Sequence, residues 1–340
     1  MSRLFGLLAV LSALSPLTPA MAQGSGSATL DAVRARGQLL CGVSGEIQGF
    51  SFVSSNGEML GLDADGCRAV AAAALGDAKK VRFVPLSPQA RFTALQAGEI
   101  DLLMMNTTWY LSRESRLGLM FASVNFWDGA GVLTKVASGV KSIMELNGAS
   151  ICVNPGTNVE LDLADWARRA KVSYTPVQIG GVSEIQQAFL AGRCDAFASD
   201  RSQLAGFRFA QGPKAAELLI LPEQISSGGS GAVVRKGDDK WFDVVRWTHF
   251  AQVRAESLEV TQKNVDTFNN TTSPDIRRLL GLEGDLGASL GLDNKWAYNV
   301  VKQVGNYGEL YDRWITPAGL ARGPNELWTK GGLQFAPPLR

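Results

Sequence analysis

Apolar and polar positions follow one plan twice along this chain. In the first half, "QLLCGVSG" (38–45) is an apolar run closed by glycine, which predicts a buried strand. "DADGCRAVAAAALG" (63–76) opens on an acid, is rich in helix-forming alanine and stops at Gly76, so it predicts a helix. "VRFVPL" (81–86) predicts a strand, "PQARFTALQAG" (88–98) a helix bounded by Pro and Gly, and "IDLLMM" (100–105) a strand. Residues 149–200 repeat the series: "ASICVNPG" strand, "TNVELDLADWARRA" helix, "VSYTPVQI" strand, "VSEIQQAFLAG" helix, "CDAFAS" strand. This alternation predicts an α/β fold of two similar lobes, each a mainly parallel sheet flanked by helices.

A local echo supports the repeat. "ALQAGEIDLLMMN" (94–106) and "AFLAGRCDAFASD" (188–200) share Ala, Ala, Gly and Asp at matching positions. Asn106 and Asp200 then stand at equivalent places, just past the carboxyl end of a strand. In open α/β sheets ligands bind in the crevice beyond those ends, and a cleft between two lobes is a common small-molecule site.

The N-terminus changes the picture from intracellular to exported. "MSRLFGLLAVLSALSPLTPAMAQ" carries one basic residue, an apolar stretch from Leu4 to Leu14 and small residues at 20–22, so residues 1–22 read as a secretory signal peptide. Its removal takes Arg3 and leaves 32 basic against 32 acidic residues, a balance that argues against a nucleic-acid partner. No later segment approaches the ~18 uninterrupted apolar residues of a membrane span. The four cysteines form an even count suited to an oxidising compartment. Three pairings are open; Cys41 with Cys67 and Cys152 with Cys194 are preferred, because each closes a loop inside one half of the chain. Zinc is disfavoured: there is no C-x-x-C, and the single histidine, His249 in "VVRWTHFAQ", reads as a helix-packing residue. No metal or cofactor is expected.

The stretch "DLLMMNTTWYLSRESR" (101–116) carries the candidate chemistry. A buried strand gives way to Asn106, Thr107 and Thr108, and two arginines follow. Thr108 offers a hydroxyl and an N–H, and Arg113 or Arg116 offers a planar fork for a carboxylate. In the second half, "PGTNVE" (155–160) sets Gly156, Thr157 and Asn158 at a helix start, where free N–H groups favour an anion. Asp200 would receive a positive group at the opposite end. A carboxylate at one end and an ammonium at the other describe an α-amino acid. Each signal alone also fits an ordinary turn, cap or surface charge; their agreement at corresponding strand ends gives them weight.

Longer motifs carry a resemblance. "DADGCRAVAAAALGD", "RFTALQAGEIDLL", "NTTWYLSRE", "VNFWDGAGVL", "GRCDAFASDRSQL", "GDDKWFDVVRWTHFA", "WAYNVVKQVGNYGELYDR" and "LWTKGGLQFAPPLR" resemble the general L-amino acid-binding proteins of bacterial ABC transporters, solute-binding protein family 3. The similarity runs from about residue 29 to the C-terminus, and the cysteine placement matches. It implies a two-lobed periplasmic-binding-protein fold of type II, closing on an L-amino acid and delivering it to a membrane permease, as a monomer. It further implies that Arg113 grips the carboxylate, that Asn106, Thr108, Thr157 and Asn158 contact the ligand, and that Asp200 holds the ammonium. Phe50 or Phe52, in "QGFSF", stands near where an aromatic residue often covers the ligand. Three positions depart from the family pattern: Met105 where Arg is usual, Tyr110 where Thr is usual, and "GTN" for Gly-Thr-Thr. A charge lost at Met105 would weaken binding of acidic side chains if that residue faces the ligand.

The expected organisation is a signal peptide (1–22), a first lobe begun at 23–132, a second lobe at 133–232, and a return to the first lobe with a C-terminal extension at 233–340. The crossings are expected within "GAGVLTKV" (129–136) and "GSGAVVRKG" (229–237). The rival function is a periplasmic enzyme on the same scaffold, such as a dehydratase acting on an amino-acid-like substrate, with Asp200, Asp128 and Glu160 as available acids.

Overall fold

The computed structural model describes residues 25–340; the segment 1–22 read as a signal peptide lies outside them. Two five-stranded sheets share one plan. In the first, Leu39–Val43 lies parallel to Val81–Pro85 on one side and to Leu102–Leu103 on the other. Val233–Arg235 follows, antiparallel to Leu102–Leu103 and to the edge strand Leu119–Phe121. In the second, Ala149–Val153 lies parallel to Tyr174–Gln178 and Ala196–Asp200, and Ala130–Lys135 runs antiparallel to Ala196–Asp200 and to the edge strand Leu218–Ile220. The predicted repeat therefore extends further than the sequence echo, to the fourth strand of each sheet.

Those fourth strands arrive from a two-stranded ribbon. Phe126–Asp128 pairs antiparallel with Gly228–Ser230, and each ribbon strand runs on into the antiparallel strand of one sheet. The ribbon strand Phe126–Asp128 lies just ahead of the 129–136 segment, most of which is the sheet strand Ala130–Lys135. Gly129 is needed for close approach: a Cβ there would lie 1.9 Å from the Ser226 carbonyl oxygen. The ribbon is fastened to the first lobe by Asn325, whose side chain accepts from the Trp127 N–H (2.7 Å) and donates to the Trp127 carbonyl (2.9 Å).

The helices form where their residues dictate. Leu62–Leu75 buries Ala69 and Ala71–Ala74, small side chains that let Asp239–Ser257 and Trp296–Gln303 pack closely against it. Cys67 ties this helix to Cys41 in the strand Leu39–Val43, and Cys152 ties the second sheet to Cys194, the pairing expected from the sequence. His249 sits buried in Asp239–Ser257 with its Nε2 3.2 Å from Gln334 Oε1; burial lowers its pKa to about 4. Two elements are shorter than expected. The 88–98 helix covers only Arg91–Gln96, and the 100–105 strand only Leu102–Leu103. The chain turns away after Met104 because Asn106 adopts a left-handed φ of 40°, a conformation Asn tolerates better than most residues, and its N–H donates to Asp63 at 2.9 Å.

Candidate functional site

The two sheets direct their carboxyl ends at one another across a narrow cleft. Contacts span it: Tyr110 donates to the Asp162 carboxylate at 3.0 Å, and the Ser183 N–H donates to Glu46 Oε2 at 3.0 Å. Between the lobes remain two cavities of about 20 and 10 Å³, each room for roughly one water molecule, so the lobes are closed on each other.

Five of the eight sequence-derived ligand residues line these cavities, and a sixth stands directly behind them. Asn106, Asn158 and Asp200 border both; Thr157 borders one and Thr108 the other, and Arg113 donates from Nη1 to the Thr108 carbonyl at 2.7 Å, just behind the wall. Thr157 caps the helix Asn158–Ala170, its hydroxyl accepting from the Glu160 N–H and donating to the Asn154 carbonyl. Asn158 Nδ2 donates to Asp200 Oδ1 at 3.1 Å, and Gln203 Nε2 donates to Asp200 Oδ2 at 3.1 Å. Asn106 is fixed at two points, by Asp63 at its N–H and by the Ser230 hydroxyl at its Oδ1, yet its buried Nδ2 has no partner.

The two phenylalanines lie elsewhere. Phe50 is buried in the first lobe's core, edge-on to Phe126 with ring centres 5.1 Å apart, and Phe52 stands edge-on to Trp314 at 6.0 Å. Alternation along Ser51–Val53 and the turn before it directs both rings away from the cleft. The aromatic ring in the cleft wall is Tyr110, 5.3 Å from the Arg113 guanidinium, and burial pushes its hydroxyl pKa upward.

One cation escaped the sequence reading. Arg91, first residue of the short helix Arg91–Gln96, is only 4% exposed, borders the cleft, and its Nε has no hydrogen-bond partner. Desolvation, with Arg113 adding repulsion, lowers its pKa to about 9. Phe92 lies between the two guanidinium groups, 4.8 Å from Arg91 and 5.2 Å from Arg113. The available signal was spacing: in "RFTALQ" Arg91 shares a helix face with Ala94 and Leu95, and all three are buried. Met105 is buried with Leu95, Ile100 and Phe121 while one edge borders the cleft beside Arg91, so a positive charge is present although that position has none.

Charges of both signs meet at the cleft. Arg91 and Asp200 border one cavity, Asp128 and Asp200 border the other, and Arg113 stands behind the wall at Thr108; among the described residues none of the four forms an ion pair. Desolvation raises the pKa of Asp200, and desolvation together with Asp200's charge raises that of Asp128 to about 7.

Residues 39–264 match the bacterial extracellular solute-binding proteins, family 3. The chain belongs to this family. Among family members, it is 48% identical over 326 residues to the glutamate/glutamine/aspartate/asparagine-binding protein BztA of Rhodobacter capsulatus, covering 94% of this chain and 96% of that one. It is 46% identical over 325 residues to the general L-amino acid-binding periplasmic protein AapJ of Rhizobium johnstonii, covering 94% and 95%. A periplasmic binding protein from Brucella ovis, solved with glutathione bound, superposes with a TM-score of 0.89 at 47% identity, over 92% of this chain and 99% of that one. This family 3 chain has the two-lobed type II fold of such proteins, and its resemblance continues past residue 264 through the C-terminal extension.

Proposed function

We propose that this family 3 protein is exported to the periplasm, captures L-amino acids by closure of its two lobes, and delivers them to the permease of an ABC transporter. It does so as a monomer, by binding alone and without a cofactor. The observation that carries the reading is the set of charges around the closed cleft: two desolvated guanidinium groups and two desolvated carboxylates, with no ion pair joining them among the described residues. Buried charges of that kind are strongly unfavourable unless a partner neutralises them. A zwitterion offers a partner to both signs at once.

In this reading Arg113 grips the ligand carboxylate with Thr108 and Asn106 as neutral donors. Asp200, oriented by Asn158, takes the ammonium beside the helix start at Thr157. Arg91 faces the side chain and favours acids and amides, in keeping with the name of BztA. The lobes would exchange at the ribbon, near residues 128 and 228, a few residues ahead of the 132 and 232 boundaries read from the glycines. Because the closed cleft holds little more than two waters, the lobes must part to admit a ligand.

The test is a thermal-shift screen of the mature chain, unfolded and refolded to strip carried-over ligand, against the L-amino acids, their D-forms, glutathione, sugars and dicarboxylates. A ligand at about 100 times its Kd adds ~2.7 kcal/mol. Stabilisation by L-glutamate, L-glutamine and their shorter homologues, with the ligand recovered unchanged, is expected. Stabilisation by none of the amino acids, or turnover of any, would sink the proposal.

A further inference from the structure

We propose that Asp128, where the first ribbon strand passes into the second lobe, is a second acceptor for the ligand's ammonium beside Asp200; this rests on the amino-acid reading above. Asp128 and Asp200 border the same small cavity, together with Asn158 and Ser230. Both carboxylates are oriented by neutral donors only. Asp200 accepts from Asn158 and Gln203; Asp128 accepts from the Gly129 N–H at 2.8 Å and from the N–H and hydroxyl of Ser202. Neutral donors hold a carboxylate in place without cancelling its charge; Asp128 Oδ2 accepts twice from Ser202, while Asp128 Oδ1 and both Asp200 oxygens each keep a lone pair free. Two negative charges therefore face one desolvated space.

The other charged or titratable groups around Asp128 are already committed. Within the cleft, the Tyr110 hydroxyl is bonded to Asp162. On the opposite face of the ribbon a cavity of about 380 Å³ brings up Arg201, Arg322 and Tyr311. Arg201 donates to the carbonyls of Leu221 and Glu223, Arg322 pairs with Glu256, and Tyr311 donates to the Ala321 carbonyl. Asn106, whose buried Nδ2 is unpartnered, borders the same cavity and independently marks it as a place where an acceptor group of the ligand, such as the carboxylate next to the ammonium, is received. An ammonium between the carboxylates relieves their mutual repulsion and displaces to solvent the proton that Asp128 holds when its pKa stands at about 7. Because Asp128 belongs to the ribbon, ammonium capture is tied to ribbon geometry as well as to the second sheet.

The experiment is isothermal titration calorimetry of the mature chain with L-glutamate and L-glutamine at pH 7, in two buffers of different ionisation heat, for wild type, Asp128→Asn and Asp200→Asn. Wild type is expected to release part of a proton per ligand bound. Asp128→Asn, whose amide oxygen still accepts from Ser202, is expected to bind ten- to a hundredfold more weakly and to release markedly less. Wild-type affinity in Asp128→Asn, or weaker binding with undiminished proton release, would overturn the proposal while leaving the amino-acid reading intact provided Asp200→Asn binds poorly. Wild-type affinity in Asp200→Asn, or no binding by wild type, would overturn the reading beneath it. Should Asp128→Asn not fold, the wild-type proton count decides: no release in either buffer overturns the proposal.

Discussion

Gly206 and Gln48 meet across the cleft so closely that a Cβ on the glycine would lie 2.5 Å from the Gln48 carbonyl oxygen. Gly206 sits inside the helix Arg201–Ala210 of the second lobe, and Gln48 in a turn of the first. Neither borders the two cleft cavities, so the contact bears on closure alone.

Gly206→Ala should therefore separate closure from folding. Alanine favours the helix by up to ~1 kcal/mol, so ligand-free stability should hold or rise. The clash acts only in the closed state and should lower affinity about tenfold or more, since each ~1.4 kcal/mol against closure is tenfold. Calorimetric Kd and ligand-free melting temperature, measured together, check this; a parallel fall in both would refute a closure-specific role.

Arg91→Met should trade binding for stability. Removing a buried guanidinium with an unpartnered Nε relieves a desolvation penalty, so the ligand-free chain should melt at a higher temperature. L-glutamate should lose affinity by roughly a hundredfold, as expected for breaking a buried ion pair worth ~3 kcal/mol, and L-glutamine by less than tenfold. An unchanged glutamate-to-glutamine ratio would remove Arg91 from side-chain selection.

Asp63 should make stability depend on pH. Burial raises its pKa from the ordinary 3.8 to about 7, against the lowering effect of the Asn106 N–H. Between those values the folded state keeps a proton that the unfolded chain releases, so this contribution is full below pH 3.8 and is lost as pH rises through 7. His249, depressed from 6.5 to about 4, acts oppositely, losing stability as pH falls through that window. The clean comparison is therefore Asp63→Asn against wild type from pH 4 to 8. The variant's relative melting temperature should climb with pH and level off above about 7; parallel curves would count against the assignment.

The disulfides close loops of 26 and 42 residues. Replacing Cys41 and Cys67 together by Ala should lower stability by about 3.5 kcal/mol, and Cys152 with Cys194 by about 3.9 kcal/mol, on the chain-entropy account. Denaturant unfolding of the paired variants measures both. Losses below about 1 kcal/mol would show that the unfolded chain is already restrained.

Strand and helix order was readable along the chain because apolar periodicity is a local property, and the repeated "ALQAG" and "AFLAG" segments exposed the lobe symmetry. The cysteine pairs were readable because each lies within one lobe. Thr108, Asn106, Thr157, Asn158 and Asp200 were readable because strand ends and helix starts announce themselves in sequence, and topology gathers such ends into one crevice. Arg91, Phe50 and Phe52 were not. A helix face or a strand alternation tells which side chains are buried, but whether they are buried in a core or against a cleft depends on what stands opposite, and that is supplied by distant parts of the chain. The same holds for Asp63 beneath Asn106, Asn325 on Trp127 and Gly206 against Gln48. Local physics wrote the elements into the order of residues; the meeting of two lobes, through desolvation and steric contact between residues far apart in sequence, made those elements a binding cleft.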